Sequence, residues 1–234
     1  MNIMSLNSRG VGLRAKAEWV RRLCVQQQLS LIMLQETLNS NLDGEVLERF
    51  WGRGDFQFEW VGFVGRSGGV LTVWDPAVFT LLEVKKFANC LLVSGIIKGS
   101  GVMSHYLNVY APKNQVEKRN LWSEISSIIG VGDGFWTVAG DFNSVRLVSD
   151  RRNSKFSLST AQEFNGFIDD ANLHEYSLKG RRFTYVVGDK MSRIAKIFAN
   201  WNFFMDWPNA EYLALAREEL DHCYSLASKS NGTN

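Results

Sequence analysis

The sequence predicts a layered α/β protein, and three observations lead to this fold class. Apolar runs of strand length alternate with segments of helical periodicity along the whole chain. Several strand candidates between residues 56 and 110 follow one another after short breaks, which predicts an antiparallel meander. Apolar residues make up 45% of the 234 residues, with 8 Trp and 15 Phe among them, which is enough for a large core.

The first half of the chain begins with a short strand at residues 3–6 and an amphipathic helix at 13–28. The apolar residues of this helix recur at helical spacing, and Lys16, Arg21 and Arg22 are expected on its solvent-facing side. Six strands are then predicted, at residues 31–34, 56–64, 69–74, 79–87, 90–98 and 102–110.

In the second half, apolar spacing predicts a helix over 121–129, and Ser159-Thr160 marks the start of another. Five strands are expected, at residues 135–139, 183–187, 194–198, 212–216 and 223–227. Since no repeat, low-complexity tract or linker interrupts the pattern, we predict one domain over residues 1–227 and a polar tail at 228–234.

Composition excludes several classes of protein. The formal net charge of +2 permits a polyanionic partner without requiring one. The three cysteines are odd in number and far apart, which predicts reduced thiols and no disulfide-linked partner. The amino-terminal residues are too polar for a signal peptide, and no apolar run reaches the roughly 20 residues that span a bilayer. We therefore expect a soluble intracellular protein without a membrane partner.

The most informative motif is Gly140-Asp141-Phe142-Asn143, which closes the apolar run at residues 135–139. Because strand side chains alternate between faces, Asp141 and Asn143 are expected on one face, with Phe142 turned toward the core. A carboxylate beside an amide can act as a base or metal ligand and can orient a water molecule. Gly, Asp and Asn are also the usual turn residues, so the motif taken alone favours a plain turn.

Polar residues recur at the carboxyl ends of other predicted strands, where α/β folds gather their binding sites. Each has an ordinary structural interpretation when taken alone: a turn residue, a solvated carboxylate, a half-buried aromatic or a surface pair. The set outside the Asp141 motif consists of Asn7, Glu36, Asn108, Tyr110, Asp221 and His222.

In this order the motifs resemble the endonuclease/exonuclease/phosphatase superfamily, the metal-dependent phosphodiesterases that include abasic-site endonucleases and DNase I. Within it, residues 7–10, 183–185 and 192–194 look most like the endonuclease domain of plant LINE-type (non-LTR) retrotransposons. The matching blocks, which span residues 7 to 223, are Leu6-Asn7, Leu34-Gln35-Glu36-Thr37, Gly68-Gly69-Val70, Asn108-Val109-Tyr110-Ala111-Pro112, Gly140-Asp141-Phe142-Asn143, Ser192-Arg193-Ile194 and Leu220-Asp221-His222-Cys223.

The resemblance implies a DNase I-like, four-layer α/β sandwich with two packed mixed β-sheets. It also implies hydrolysis of a phosphodiester with Mg²⁺ or Mn²⁺ as cofactor. The metal ligands that it implies are Glu36, Asn7 and Asp221, and such oxygen donors suit a hard divalent ion.

The resemblance implies four catalytic residues. Asp141 would orient or deprotonate the attacking water, and Asn143 would hold that water or a phosphate oxygen. Tyr110 would hydrogen-bond the phosphate, and His222 would stabilise its developing charge.

DNA is the substrate expected for these residues, and the basic residues near the inferred site suit contacts to its phosphate backbone. For any single arginine taken alone, a merely solvated surface position is the better interpretation. The residues expected to bind phosphate or DNA are Asn108, Arg9, Arg146, Thr184, Ser192 and Arg193.

One position departs from the superfamily pattern. Where the superfamily carries an aspartate that pairs with the catalytic histidine, this chain has Ala195, followed by Lys196. An unpaired imidazole loses its fixed tautomer, and a lysine beside His222 would lower the pKa of the histidine.

Three functional hypotheses follow from the sequence. The first is a DNA endonuclease of retrotransposon type that nicks one strand, a role that would place it in the nucleus. The second is a folded but inactive relic, because Ala195 stands in place of the orienting carboxylate. The third is a phosphatase of the same superfamily that acts on small phosphoesters or phosphoinositides.

Overall fold

A computed structural model describes residues 1–10, 14–38, 44–52, 54–64, 67–129, 133–214 and 225–229. Five helices lie in these ranges: α1 Arg14–Gln26, α2 Gly44–Trp51, α3 Gln115–Ile129, α4 Leu158–Asp170 and α5 Trp201–Asp206. The strands of the first half are β1 Asn2–Asn7, β2 Leu29–Gln35, β3 Gln57–Val64, β4 Ser67–Trp74, β5 Phe79–Lys86, β6 Cys90–Ile97 and β7 Met103–Tyr110.

The strands of the second half are β8 Phe135–Asp141, β9 Arg151–Arg152, β10 Leu173–Glu175, β11 Leu178–Lys179, β12 Tyr185–Val187, β13 Lys190–Ser192, β14 Ala195–Asn200, β15 Ala210–Ala214 and β16 Ser225–Lys229. In the described part of the chain, no helix is both long and apolar enough to cross a membrane.

Most strands belong to two mixed sheets. The first has seven strands in the order β11-β15-β16-β1-β2-β4-β3, and the second has six in the order β10-β14-β8-β7-β6-β5. Each sheet contains a parallel pair next to antiparallel neighbours, β1 with β2 in the first and β7 with β8 in the second. A small third sheet, β12-β13-β9, is formed by a hairpin and a short strand.

Three apolar clusters define four layers. The first contains inner-face residues of both sheets, such as Ile3 of β1 and Ala139 of β8. The second packs α1 and α2 on the outer face of the first sheet, and the third packs α3 and α4 on the outer face of the second sheet. The predicted DNase I-like, four-layer sandwich is therefore confirmed.

Alternation along β1 and β8 determines where the polar strand ends point. In β1, Ile3 belongs to the inner cluster and Met4 to the outer one. Because side chains alternate, Asn7 shares the inner face with Ile3. In β8, Ala139 belongs to the inner cluster, so Asp141 also faces inward. The ends of two strands from different sheets thus direct their polar side chains toward one another.

The structure differs from the sequence prediction in several places, and the short strands β9, β10, β11 and β13 were not predicted. Helices α2 and α5 were not predicted, because each is too short to show a sustained helical period. Lys16 was placed on the exposed side of α1, but only 3% of it is exposed. Strand β16 runs through Lys229, so the first two residues of the predicted tail belong to the sheet. The remaining tail residues lie outside the described ranges.

Gly140 is required by the close approach of β7 to β8. Its φ is +152°, and a Cβ placed on it would lie 1.9 Å from the carbonyl oxygen of Val109 in the neighbouring strand. Backbone cannot yield as a flexible side chain does, so we expect Gly140→Ala to lower the free energy of unfolding by about 3 kcal/mol. Urea unfolding followed by circular dichroism measures this loss, and Gly166→Ala is the control because its Cβ has no neighbour within 4 Å. Equal stability of the two variants would contradict the steric argument.

Candidate active site

A pocket of about 490 Å³ opens at the end of the sandwich where β1, β2, β7 and β8 finish. It contains two carboxylates and four cationic side chains. The residues that line it are Asn7, Arg9, Glu36, Tyr110, Lys113, Lys118, Asp141, Asn143, Arg151, Tyr185, Ser192 and Ile194. Seven of the predicted site residues therefore meet in one place: Asn7, Arg9, Glu36, Tyr110, Asp141, Asn143 and Ser192.

A larger groove, of about 1000 Å³, lies beside α1 and α2. It carries Arg21, Glu45, Glu48 and Arg49 and contains none of the polar strand-end residues. Chemistry rather than size therefore identifies the smaller pocket as the candidate active site.

Asp141 is the most constrained group in the pocket, with 2% of its surface exposed. Its Oδ2 accepts a hydrogen bond of 2.8 Å from the Asn7 side chain, and its Oδ1 accepts one of 2.9 Å from the backbone N–H of Asn143. Burial raises the pKa of Asp141, the two hydrogen bonds oppose this effect, and the negative charge of Glu36 raises it further. The carboxylate is thus fixed in orientation and has a strengthened affinity for a proton.

Asn143 turns the chain just beyond β8, with a left-handed backbone (φ +47°). Its side-chain Nδ2 donates to the carbonyl oxygen of Ala111 at 2.7 Å, which fixes the plane of the amide. Its own carbonyl oxygen accepts a hydrogen bond of 2.5 Å from the Lys118 ammonium. The Asp141 motif is therefore both a turn and part of the pocket, so the two interpretations of the sequence are compatible.

The oxygen donors that a hard cation would need come from β1, β2 and β8. Among the described residues, no cluster of three or more His, Cys, Asp and Glu side chains forms a ready metal site. Glu36 and Asp141 nevertheless line the same pocket, and the charge of Glu36 acts on the pKa of Asp141. The Glu36 carboxylate with an amide oxygen from Asn7 offers two donors to a divalent ion that prefers oxygen. Asp221 and His222 lie outside the described residues.

Asn108 does not reach the pocket, so its predicted phosphate contact is wrong. Its side chain is fully buried between the sheets. Its Nδ2 donates to the carbonyl oxygens of Leu34 and Leu71 at 3.2 and 3.0 Å, and its Oδ1 accepts from Gln35 at 2.7 Å. Asn108 therefore ties the second sheet to the first beneath the pocket.

Thr184 is also fully buried, which contradicts its predicted contact with DNA. Its hydroxyl oxygen accepts 3.0 Å hydrogen bonds from the backbone N–H groups of Ile194 and Ala195. The side chain thereby holds the start of β14 beside the pocket.

Arg146 and Arg193 belong to a partly buried charge network rather than to the pocket lining. Both guanidinium groups contact Glu175, Arg146 at 3.2 Å and Arg193 more closely. Their contact with DNA stays a prediction, and their pairing with Glu175 means that neither guanidinium is an uncompensated charge.

Lys196 belongs to the same network. Its ammonium lies 3.3 Å from Asp150 and 3.1 Å from Glu175. Because neighbouring strand residues face opposite ways, Lys196 and Ala195 lie on different faces of β14. The charge expected beside His222 is therefore directed to these two carboxylates.

Lys113 and Lys118 are pocket residues that the sequence analysis missed. Lys118 precedes Leu121, Trp122 and Ile125 at helical spacing, and this cation on an otherwise apolar stripe was the available signal. Only 4% of Lys118 is exposed, and burial lowers its pKa to about 8 despite the opposing effect of Asp141. Arg151 lines the same pocket and has a buried Nε without a hydrogen-bond partner.

The fold is the DNase I-like fold of solved endonuclease/exonuclease/phosphatase structures. No protein-family profile and no curated protein sequence matches the chain.

Solved structures match the fold over nearly the whole chain. An AP endonuclease from Archaeoglobus fulgidus has a TM-score of 0.75 at 14% identity, covering 98% of this chain and 99% of that one. The 3′ phosphatase NExo from Neisseria, bound to product DNA hairpin, has a TM-score of 0.73 at 16% identity, with coverages of 98% and 99%. An endonuclease/exonuclease/phosphatase from Bacteroides vulgatus gives 0.71 at 13%, with 97% of each chain covered. At these identities the similarity establishes a shared fold.

Proposed function

We propose that this chain is a metal-dependent phosphodiester hydrolase that nicks DNA. The observation that carries the proposal is the convergence of Asn7, Glu36, Asp141 and Asn143 from strand ends of both sheets into one cation-lined pocket. The Neisseria structure that shares the fold is bound to DNA, which supports the same substrate class. We further propose that the nicking is of retrotransposon type, because residues 7–10, 183–185 and 192–194 resemble the endonuclease domain of plant LINE-type retrotransposons.

Asp141 is the proposed base. Its two oxygens are held by donors from Asn7 and Asn143, so the carboxylate needs no reorganisation before it accepts a proton from water. A raised pKa makes the carboxylate a stronger base than an exposed aspartate. The water oxygen then attacks phosphorus, the bond to the leaving sugar oxygen breaks, and that oxygen takes up a proton.

Glu36 and Asn7 are the proposed metal ligands within the described residues, and Asp221 would complete the set. Mg²⁺ or Mn²⁺ bound there would supply positive charge against the phosphate, as divalent ions do in phosphodiester hydrolysis. The cations Arg9, Lys113, Lys118 and Arg151 surround the same space and would hold the phosphodiester in place.

Ala195 favours a second candidate, a folded domain with little or no activity. It lies directly opposite Asp141 in the β8–β14 pair, with 5% of its surface exposed. In the superfamily pattern an aspartate at this position would orient His222. This chain has the methyl group of Ala195 there instead.

A plasmid-nicking assay separates these candidates. We expect the purified chain to convert supercoiled plasmid to the open-circular form with Mg²⁺ and to stop when the metal is chelated. Release of inorganic phosphate from inositol phosphates without nicking would instead favour the phosphatase hypothesis, and no turnover of either substrate would favour the inactive domain.

Lys118 should give the nicking reaction an alkaline limit. The ammonium carries its charge below its pKa of about 8 and loses it above, so nicking should decline as the pH rises through that value. We expect Lys118→Met to lower kcat/KM by about tenfold at neutral pH and to remove this decline. The measurement is a pH profile of initial nicking rates.

The control for this profile is Lys98→Met, which removes an exposed lysine outside the pocket. This variant should retain both the rate and the alkaline decline. A Lys118→Met profile that still falls near pH 8 would assign the decline to another group.

A further inference from the structure

We propose that Lys16 is a positioning residue for DNA binding: its ammonium holds the loop of residues 8–10 so that Arg9 faces the pocket. The inference rests on the proposed function, because it assigns Arg9 to the phosphate backbone of the DNA. Lys16 itself contacts no substrate and does not line the pocket.

The ammonium of Lys16 is surrounded by consecutive backbone carbonyl groups. It donates closely to the oxygen of Ser8, at 2.8 Å to that of Gly10 and at 3.3 Å to that of Arg9. Only 3% of the residue is exposed. A single buried cation therefore satisfies three acceptors in successive residues, as a small bound cation would.

The backbone of this loop needs such support. Arg9 has φ +46° and Gly10 has φ +95°, so a non-glycine residue occupies the left-handed region. Two backbone hydrogen bonds connect the loop to the end of β2. The N–H of Ser8 donates to the carbonyl oxygen of Gln35 at 2.8 Å, and the N–H of Gly10 donates to that of Glu36 at 2.6 Å. The loop is thereby joined to Glu36, whose side chain is a proposed metal ligand.

The consequence of this geometry is a contact across the pocket. The Arg9 guanidinium lies over the ring of Tyr185, 5.4 Å from its centroid, and both residues line the pocket. Tyr185 belongs to β12 of the small sheet, so Arg9 connects the end of β1 with the opposite wall. A positive charge held there by an aromatic face is positioned for a phosphate.

Stability alone does not account for a lysine at this position. Burial lowers the pKa of Lys16, and the neighbouring Arg9 lowers it further, so the charge is kept against an energetic cost. The surrounding face of α1 is apolar, with Ala17 and Val20 buried beside it. The carbonyl contacts of the loop are the feature that an apolar side chain could not provide.

The test uses Lys16→Met, Arg9→Gln and the double variant with a short fluorescent DNA duplex. We expect each single variant to weaken DNA binding by about tenfold, and the double variant to be no weaker than either. We also expect each to lower the slope of log affinity against log salt by about one phosphate contact. In the nicking assay KM should rise by a similar factor, with kcat within about threefold of the wild type.

The slope of log affinity against log salt shows whether Lys16 positions Arg9 or only stabilises the fold. Lys86→Met is the charge-matched control, because Lys86 pairs with Glu59 and Trp60 outside the pocket. That variant should keep the wild-type slope. If Lys16→Met does not fold, Lys16→Gln replaces it. Its amide has two donors for the three carbonyl oxygens, so we expect a smaller loss of binding that is again not additive with Arg9→Gln.

Two outcomes would overturn the proposal: additive losses in the double variant, or a fall in kcat without a change in binding or salt slope. Failure of the proposed function is distinguishable, because it would appear as a wild-type chain that binds the duplex without nicking plasmid. The binding measurements would still decide the role of Lys16 in that case.

Discussion

Replacing Asp141 with asparagine should lower the rate of plasmid nicking by about 10³-fold, the loss expected for removal of a general base. The side chain keeps its shape, but an amide cannot accept a proton from water at neutral pH. Asn7 can turn its amide to keep the contact between the two strands, although its oxygen then leaves the backbone N–H of Arg9 and the proposed metal position. The measurement is the initial rate of supercoiled plasmid conversion with Mg²⁺.

The stability of the same variant separates lost chemistry from lost folding. The folded-state pKa of Asp141 is raised, so the folded protein binds more protons than the unfolded chain and loses stability as the pH rises through that range. Asparagine removes this penalty at neutral pH, and the midpoint of thermal unfolding should therefore be equal or higher. A fall in both activity and midpoint would mean that Asp141 acts mainly in folding.

Asp206→Asn is the matched control, because Asp206 is exposed at the end of α5 and does not line the pocket. Its nicking rate should equal that of the wild type. If Asp141→Asn also nicks at the wild-type rate, the proposed base is refuted.

The layers of the fold could be predicted because each carries its own periodicity. Strands β1 and β8 are short runs that are buried along almost their whole length, and α3 carries an apolar stripe at helical spacing. The small sheet of β9, β12 and β13 was only partly predictable, since two or three paired residues leave no clear period. Its strands are specified by tertiary contacts, such as the hydrogen bonds that Thr184 accepts from the chain leading into β14.

The residues of the candidate site could be predicted where a motif ends a strand. Those that lie beneath the pocket, between the two sheets, were harder to place. Tyr110 and Asn108 share the inner face of β7, but the pocket begins at Tyr110. Asn108 lies a layer below, where its polar atoms join the two sheets. The sequence indicates on which face of a strand a side chain lies. It does not indicate where along the strand the two sheets separate to form the pocket, because that depends on how the sheets pack.

Charged residues were the least predictable part of the site. Lys16 and Lys118 occupy buried positions of apolar helix faces, where a cation is normally excluded unless it has a partner. Those partners are backbone carbonyl groups, of residues 8–10 and of Asn143, and no side-chain pattern reveals them. Conversely, Arg193 belongs to one of the matching sequence blocks but pairs with Glu175.

Replacing Ala195 with aspartate should raise the nicking rate by at least about tenfold, if the proposed function holds and His222 faces this position. The serine-protease case, where the loss of an orienting carboxylate costs about 10⁴, indicates the upper range of the effect. The backbone at the site is already fixed, because Ala195 N–H donates to Thr184 and its carbonyl oxygen accepts from Tyr212. The substitution therefore changes the side chain on a held strand.

The new carboxylate should also change the pH dependence of nicking, because it would lie close to Asp141. Ala195 and Asp141 are register partners in an antiparallel pair, so their side chains lie on the same face, roughly 5 Å apart at Cβ. A second negative charge at that distance should raise the pKa of Asp141 further. The acid limb of the pH profile should then move to higher pH while the maximal rate increases.

Ala195→Asn distinguishes charge from shape, because it adds a side chain of the same size without the carboxylate. We expect this variant to show little of the gain and no shift of the acid limb, since an amide neither stabilises an imidazolium ion nor repels Asp141. Equal rates for the aspartate and asparagine variants would show that no histidine uses the carboxylate. A gain confined to aspartate would mean that Ala195 alone limits a site whose other described members, Asn7, Glu36 and Asp141, are already in position.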